Sequence, residues 1–178
     1  MGETTASNRP AELRDMVAAD IDFITALDLE LFGVDSWPRE MFVAELSQPE
    51  TRRYIIAELP SGVEREQTQI AGYAGLMCVP PIGDIQTIGV LPEFEGRGIA
   101  RAMLDELIAE AGRRGADDIM LEVSSKNPRA QKLYKRYGFE HIHTRRKYYR
   151  DGSDGLIMRL PLAGDVTTTT ATTVKDPA

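Results

Sequence analysis

The sequence predicts an α/β fold, in which helices flank a mixed, mostly antiparallel sheet with one central parallel strand–helix–strand crossover. The crossover is indicated by an apolar strand pattern at 85–90, a helix pattern at 98–114 and an apolar run at 119–123. Two buried strands joined by a helix pair in parallel. The other apolar segments are short and separated by turn residues, which is typical of antiparallel neighbours.

The first third of the chain predicts one strand and two helices. The strand covers 13–17, and Asp20 is placed to cap the first helix. The apolar face of that helix consists of Ile21, Ile24, Leu27, Leu31 and Phe32. A second helix covers 37–46, with Pro38 in its first turn, where a missing N–H costs nothing.

The middle of the chain supplies the strands that precede the crossover. Segments 53–58 and 70–79 are predicted strands, and the polar stretch between them predicts a hairpin loop. Pro80 and Pro81 break the chain before the strand at 85–90. Pro92 ends that strand, because proline cannot continue a ladder.

The crossover helix has the clearest helical periodicity in the chain. Its apolar face recurs every fourth residue, at Ile99, Met103, Leu107 and Ala111. Gly115 then occupies the position of a left-handed C-terminal cap. The regular spacing therefore predicts a helix packed on a sheet.

The C-terminal part predicts one more helix and two more strands. The helix covers 127–137, with Pro128 in its first turn and Gly138 at its end. Strands follow at 139–149 and 156–160, joined by the turn sequence RDGSDG.

Composition predicts one globular domain, at 11–162, between two flexible ends. A chain of 178 residues with 42% hydrophobic residues can bury one sizeable core. Residues 1–10 predict a flexible lead, and the Thr-rich tail at 163–178 is predicted to be disordered because it holds almost no large apolar side chain. No apolar run approaches the roughly 20 residues that span a bilayer, so no membrane partner is expected.

Charge and cysteine usage limit the function classes. The net charge of −7 argues against direct nucleic-acid binding and is compatible with cationic amine or basic peptide substrates. Cys78 is the only cysteine, which fits a cytoplasmic location, and its apolar neighbours indicate a core residue rather than a nucleophile. His141 and His143 lack a third ligand, so no metal site is predicted.

The glycine-rich turn before the crossover helix is a candidate anion site. Backbone N–H groups in the first turn of a helix lack partners and lie at the positive end of its dipole, where a phosphate fits. Gly96 and Gly98 allow close approach of the backbone, and Arg97 and Arg101 add positive charge. Spacing alone leaves a diphosphate site and a purely steric role for the glycines equally open.

Three further side chains each have a structural and a functional interpretation. Glu122 interrupts an apolar strand, either as a solvated strand-end carboxylate or as a general base at the strand's C-terminal end. Tyr134 either packs in the core or donates a proton to a leaving group. Trp37 either anchors a helix entrance or lines a substrate groove.

The stretch EGRGIA resembles the Q/R-x-x-G-x-G/A signature of the GCN5-related N-acetyltransferases (GNAT), although Glu95 stands where glutamine or arginine is usual. The resemblance implies the GNAT fold, and acetyl-CoA as co-substrate without a metal. It implies that the loop cradles the pyrophosphate and that the preceding strand binds the pantetheine arm and the thioester. The residues so implied are Ile88, Gly89, Val90, Gly96, Arg97, Gly98, Ile99, Ala100 and Arg101.

A second block, LEVSSKNPRAQKLYKRYGF, resembles RimI-type N-terminal acetyltransferases within that family. The resemblance implies that Glu122 accepts a proton, that Tyr134 donates one and that Asn127 contacts CoA. The RRKYY segment resembles a strand that borders the peptide site, and DSWP resembles a substrate loop. The substrate-binding residues so implied are Trp37, Arg146, Tyr148 and Tyr149.

The resemblance implies direct transfer of acetyl from acetyl-CoA to a protein N-terminus in a ternary complex. The implied acceptor is the N-terminal alanine of a small-subunit ribosomal protein. Two alternatives stay open: a small-molecule amine or lysine acetyltransferase of the same fold, and a non-catalytic acetyl-CoA-binding partner subunit.

Overall fold

The computed structural model describes residues 10–60 and 68–162. Within these ranges the chain forms seven strands and four α-helices. The strands are β1 (Glu12–Asp15), β2 (Arg52–Pro60), β3 (Thr68–Val79), β4 (Ile82–Val90), β5 (Asp118–Ser124), β6 (Glu140–Arg145) and β7 (Gly155–Pro161). The helices are α1 (Ile21–Phe32), α2 (Arg39–Leu46), α3 (Ile99–Arg113) and α4 (Pro128–Tyr137). Most of the predicted lead, most of the predicted hairpin loop and the predicted Thr-rich tail lie outside the described residues.

The strands form one sheet in the order β1-β2-β3-β4-β5-β7-β6. Among the described strands only β4 and β5 pair in parallel, and α3 makes the connection between them. This arrangement confirms the predicted mixed sheet with a central crossover. The parallel pairing is short, because it begins at Ile82 and Asp118 and ends where Ile85 pairs with Leu121.

Two apolar layers cover the sheet. The predicted apolar face of α3 is buried as expected, with Met103 and Leu107 fully inaccessible. It packs on residues such as Ile55 and Leu76 of the sheet. In a second cluster, Ile24 and Leu27 of α1 and Phe42 of α2 pack against three residues of the sheet, Tyr54, Ile56 and Tyr73. Burying apolar side chains in this way supplies most of the driving force for folding.

The predicted strand at 139–149 is wrong at its C-terminal end. β6 ends at Arg145, and the rest of the RRKYY segment turns away from the sheet. The turn forms because Asp154 accepts the backbone N–H of Lys147 at 2.8 Å and Ser153 accepts that of Tyr149 at 3.1 Å. Lys147 adopts a φ of 51°, which a regular strand cannot accommodate.

Two other local predictions need correction. β4 begins at Ile82 rather than at Ile85, so that it pairs with β3 almost directly after Pro81. Asp20 does not cap α1 with its side chain. Its carboxylate instead accepts the backbone N–H of Val17 at 2.8 Å and a charged hydrogen bond from Arg14 at 2.7 Å. Arg14 of β1 therefore binds the carboxylate that would otherwise cap the first turn of α1.

Candidate active site

The site begins where β4 and β5 separate. Beyond Ile85 and Leu121 the two strands diverge, so no strand of the described residues pairs with the edge of β4 at 86–90 on that side. Two cavities open along this edge. Ile88, Asn127, Ala130 and Tyr134 line both of them and so join them into one continuous cleft.

The first cavity, here the glycine-loop cavity, has a volume of about 470 Å³ and lies between the end of β4, the start of α3 and α4. Gly96 and Gly98 have φ values of 77° and 76°, which side-chain-bearing residues rarely adopt. Within the described ranges, no group accepts a hydrogen bond from the backbone N–H groups of residues 96–101. These donors are therefore available to an anion.

The electrostatics of the glycine-loop cavity also favour an anion. Arg101, Lys132 and Arg136 line it. Glu95 lines it too, but its carboxylate forms an ion pair with Arg129. The carboxylate that departs from the usual signature is thus matched by a local cation. A diphosphate in this cavity would meet a surplus of positive charge.

The second cavity, here the acidic cavity, has a volume of about 420 Å³ and is lined by four carboxylates. They are Asp28, Asp35, Glu122 and Asp151. Trp37 and Tyr149 add aromatic surface. A negative, partly aromatic cavity of this size suits a cationic amine attached to a larger molecule.

Glu122 occupies the position in β5 that the alternation of side chains predicts. Ile119, Leu121 and Val123 are buried on one face, whereas Glu122 faces the acidic cavity with 21% of its side chain exposed. Burial raises the pKa of this carboxyl above its usual value. Arg145, whose guanidinium lies 3.3 Å away, and the hydroxyl of Tyr149 act in the opposite direction. Asp84 adds to the upward shift through charge repulsion.

Tyr134 lies on α4 at the junction of the two cavities. Its ring is buried and packs edge-on against Phe139 at 5.8 Å between centroids. Burial raises the pKa of its hydroxyl to about 12, so the group keeps its proton at neutral pH. A neutral phenol at this point can donate a proton to an atom in either cavity.

Residues 21–139 match the family model described as Acetyltransferase (GNAT) family. The chain belongs to the GNAT family. It is 36% identical over 161 residues to N-alpha-acetyltransferase RimI of Mycobacterium tuberculosis, covering 87% of this chain and 95% of that relative. It is 36% identical over 130 residues to the [ribosomal protein bS18]-alanine N-acetyltransferase of Escherichia coli, covering 71% of this chain and 82% of the relative.

The fold comparison agrees with the sequence comparison. The crystal structure of the ribosomal-protein-S18-alanine N-acetyltransferase from Escherichia coli superposes with a TM-score of 0.73 at 26% identity, over 88% of this chain and 97% of that chain. The predicted GNAT fold and the predicted likeness to RimI-type proteins are both confirmed. This GNAT protein is accordingly an acetyltransferase that uses acetyl-CoA, and its glycine-loop cavity has the donors and the charge that a CoA diphosphate requires.

The GNAT loop residues implied by the sequence mostly converge on one cavity. Those that line the glycine-loop cavity are Ile88, Gly89, Val90, Gly96, Gly98, Ile99, Ala100, Arg101 and Asn127. Arg97 does not line it, since its guanidinium lies over the ring of Phe94 at 5.4 Å. Asn127 also caps α4, because its side-chain oxygen accepts the N–H of Ala130 at 3.1 Å.

The implied substrate residues of this GNAT protein divide into two groups. Trp37 and Tyr149 line the acidic cavity. Tyr148 and Arg146 do not; Tyr148 packs under Arg145, and Arg146 is 85% exposed beside Asp154. Sequence reasoning missed Asp28 as part of the site, and it placed Arg145 only within the RRKYY segment that borders the peptide site. Asp28 belongs to no local motif with a chemical meaning, so only the fold brings it there.

Within the described ranges no group of three or more His, Cys, Asp and Glu side chains could hold a metal ion. None of the helices there is both long enough and apolar enough to cross a membrane.

Proposed function

We propose that this enzyme transfers acetyl from acetyl-CoA to the α-amino group of a protein N-terminus, with an N-terminal alanine of a ribosomal protein as first candidate. The observation that carries the proposal is the junction of the two cavities, where Glu122 faces the acceptor side and Tyr134 faces both. A ribosomal substrate would place the reaction in the cytoplasm.

Glu122 would prepare the acceptor. An ammonium group must lose a proton before it can attack, and a carboxylate with a raised pKa is a suitable acceptor for that proton. The acidic cavity would first attract the ammonium by charge and then bring it to Glu122, either directly or through one water. Once the amine has lost its proton, Glu122 carries that proton as a neutral carboxylic acid.

Tyr134 would serve the leaving group. Acetyl-CoA supplies the acetyl group as a thioester, and its sulfur departs as a thiolate unless a proton arrives. The neutral phenol of Tyr134 lies at the junction of the cavities and can deliver that proton. The unpaired edge of β4 near Val90 offers backbone N–H groups to the developing oxyanion.

A covalent acetyl-enzyme has no good candidate among the described residues. Cys78 lies on β3, is 2% exposed, and burial raises the pKa of its thiol. A protonated and inaccessible thiol cannot act as a nucleophile. Direct transfer from thioester to amine is therefore the simplest mechanism for this cleft.

The acceptor side supports a peptide substrate. Trp37 and Tyr149 offer aromatic surface to a chain entering the acidic cavity, next to the carboxylate that would receive the ammonium. The E. coli relative is named for the alanine of ribosomal protein bS18, which makes peptides with that type of N-terminus the first to test.

The test is mass spectrometry of a peptide panel incubated with enzyme and acetyl-CoA. The panel contains basic peptides that begin with alanine, serine or methionine, the same peptides with blocked N-termini, and polyamines. Addition of one acetyl group to free N-termini alone supports the proposal and ranks the first residues. Acetylation of blocked lysine peptides or polyamines would move the enzyme to another substrate class. Binding of acetyl-CoA without any turnover would favour a non-catalytic partner subunit.

A further inference from the structure

Asp28 is a buried carboxylate of the acidic cavity to which the proposed reaction assigns no proton transfer. It lies on α1, is 1% exposed, and still forms part of the wall of the acidic cavity. One carboxylate oxygen accepts the backbone N–H of Trp37 at 2.6 Å, and the other accepts the hydroxyl of Tyr73. A buried carboxylate is costly unless hydrogen bonds compensate it, so these two bonds define where the surrounding groups must sit.

The first bond holds the loop at 33–38, here the acceptor loop, which joins α1 to α2. Trp37 packs its ring against Phe42 at 5.5 Å and lines the acidic cavity. In the same loop, Asp35 accepts the backbone N–H of Arg150 at 3.2 Å from the opposite wall. The Asp28 bond therefore fixes the Trp37 end of a loop that spans the acceptor side of the cleft.

The second bond reaches the strands that carry the open edge. Tyr73 of β3 pairs with Gly89 of β4. Its ring lies so close beneath Gly89 that a Cβ at that position would come within 3.0 Å of it. Asp28 thus joins the acceptor loop to the part of β4 that lines the glycine-loop cavity.

The hydrogen bonds that compensate the burial of Asp28 differ from those that compensate the burial of Asp20. Asp20, also buried, receives two charged hydrogen bonds from Arg14. Among the described residues, the donors to Asp28 are both neutral, and burial raises the pKa of its carboxyl. Two hydrogen bonds from neutral donors offset the burial of a carboxylate only in part. Its position between loop and strand therefore points to a geometric role.

We propose that Asp28 is a positioning residue for the acceptor. By tying Trp37 to Tyr73 it sets the distance between the acceptor loop and the open edge of β4, so that a bound amine meets Glu122 in reach of the thioester. The proposal rests on the proposed function, because it assigns a residue to the acceptor side of that reaction.

The decisive comparison is D28A against the matched control D20A. Both remove a buried carboxylate that holds backbone at one end of α1, but only Asp28 lines the cleft. We expect D28A to raise the peptide KM about tenfold, a loss of about 1.4 kcal/mol in binding, with the KM for acetyl-CoA unchanged. D28N should recover part of the loss, because its amide can accept from Trp37 and donate to Tyr73. D20A should leave the peptide KM unchanged.

Fluorescence provides a readout that does not depend on turnover. Trp37 is the only tryptophan in the chain, and Asp28 accepts its backbone N–H. D28A should shift its emission to longer wavelength and increase its quenching by acrylamide, whereas D20A should not. If D28A does not fold, Y73F, which keeps the ring and removes one donor, should shift the peptide KM and the emission in the same directions by less.

The proposal is overturned if D28A and D20A behave alike in both readouts. It is also overturned if D28A lowers kcat with an unchanged peptide KM. Where Y73F stands in for D28A, a folded Y73F that changes neither readout overturns it as well. If the wild-type enzyme acetylates no peptide, the proposed function fails, but the fluorescence comparison still decides whether Asp28 holds the loop.

Discussion

Glu122 shows how a single residue acquires a role from its surroundings. Alternation along β5 predicts its direction, and the resemblance implies its chemistry. Its main electrostatic partner, Arg145, could not be predicted, because β7 lies between β5 and β6 in the sheet. Gly155 of β7 makes the contact possible: a Cβ there would come within 2.9 Å of the Glu122 carboxyl carbon. Only the strand order and this missing side chain bring the two charges together.

The substitution E122Q tests the general base. It keeps the shape and removes the proton acceptor, so kcat should fall by about 10²-fold. The residual rate should lose the part of the acid limb that Glu122 contributes, and follow only the deprotonation of the substrate amine as the pH rises. Acetyl-CoA affinity serves as the control and should be unchanged. Wild-type kcat in E122Q would exclude Glu122 as the base.

The substitution R145Q tests the local field at Glu122. Arg145 lowers the pKa of Glu122, opposing the rise that burial causes. A base is active above its pKa, so removing this cation should move the acid limb of kcat/KM to higher pH. The control is R159Q, because Arg159 is similarly exposed and pairs with Asp118 elsewhere on the sheet. Equal limbs in R145Q and wild type would contradict the coupling.

The substitution Y134F tests the proton donor. The ring remains buried against Phe139, so folding should be retained. We expect kcat to fall by about tenfold, less than for E122Q, because water in the cleft can supply a proton to the leaving thiolate. Measuring both kcat and the apparent acetyl-CoA KM distinguishes proton donation from a role in binding. A raised KM with wild-type kcat would assign Tyr134 to binding instead.

For individual helices and strands, sequence periodicity predicted those features that depend on local sequence alone. The buried face of α3 and the glycine at its end both follow from spacing, and Gly115 has a φ of 89°. The end of β6 did not follow, because the Asp154 carboxylate, on the far side of the turn, accepts the backbone N–H of Lys147 and stops that strand. The β4–β5 divergence is likewise invisible in either strand, since it depends on how far their pairing extends.

The N-terminus of α3 gives a prediction about acetyl-CoA. In G98A the new Cβ meets no atom of the described residues within 4 Å, so its effect comes from the φ of 76°. A left-handed alanine costs about 1–2 kcal/mol, and relaxing that strain should move the loop N–H groups. We expect the acetyl-CoA Kd, measured by calorimetry, to rise about fivefold. G115A carries a similar strain at the other end of α3 and should leave Kd unchanged.

In the molecule as a whole, the sheet places the acetyl-donor side of the reaction in one cavity and the acceptor side in the other. The start of α3 lines the basic, glycine-loop cavity, whereas α1 and the acceptor loop line the acidic one. α4 lines both and brings Tyr134 to their junction. Opposite charges in adjoining cavities suit an anionic donor and a cationic acceptor. The divergence of two central strands therefore explains both the position of the cleft and its polarity.

The charge of the whole chain predicts how salt affects the acceptor. A net charge of −7 and the carboxylates of the acidic cavity should attract a basic peptide over distances that salt screens. At saturating acetyl-CoA, kcat/KM for an alanine peptide followed by arginines should fall about threefold when ionic strength rises from about 0.05 to 0.5 M. The matched peptide with glutamines in place of the arginines keeps the same N-terminus and should respond much less. Equal salt dependence of the two peptides would mean that the acidic cavity recognises only the terminal ammonium, and that the charge of the chain does not steer the rest of the substrate.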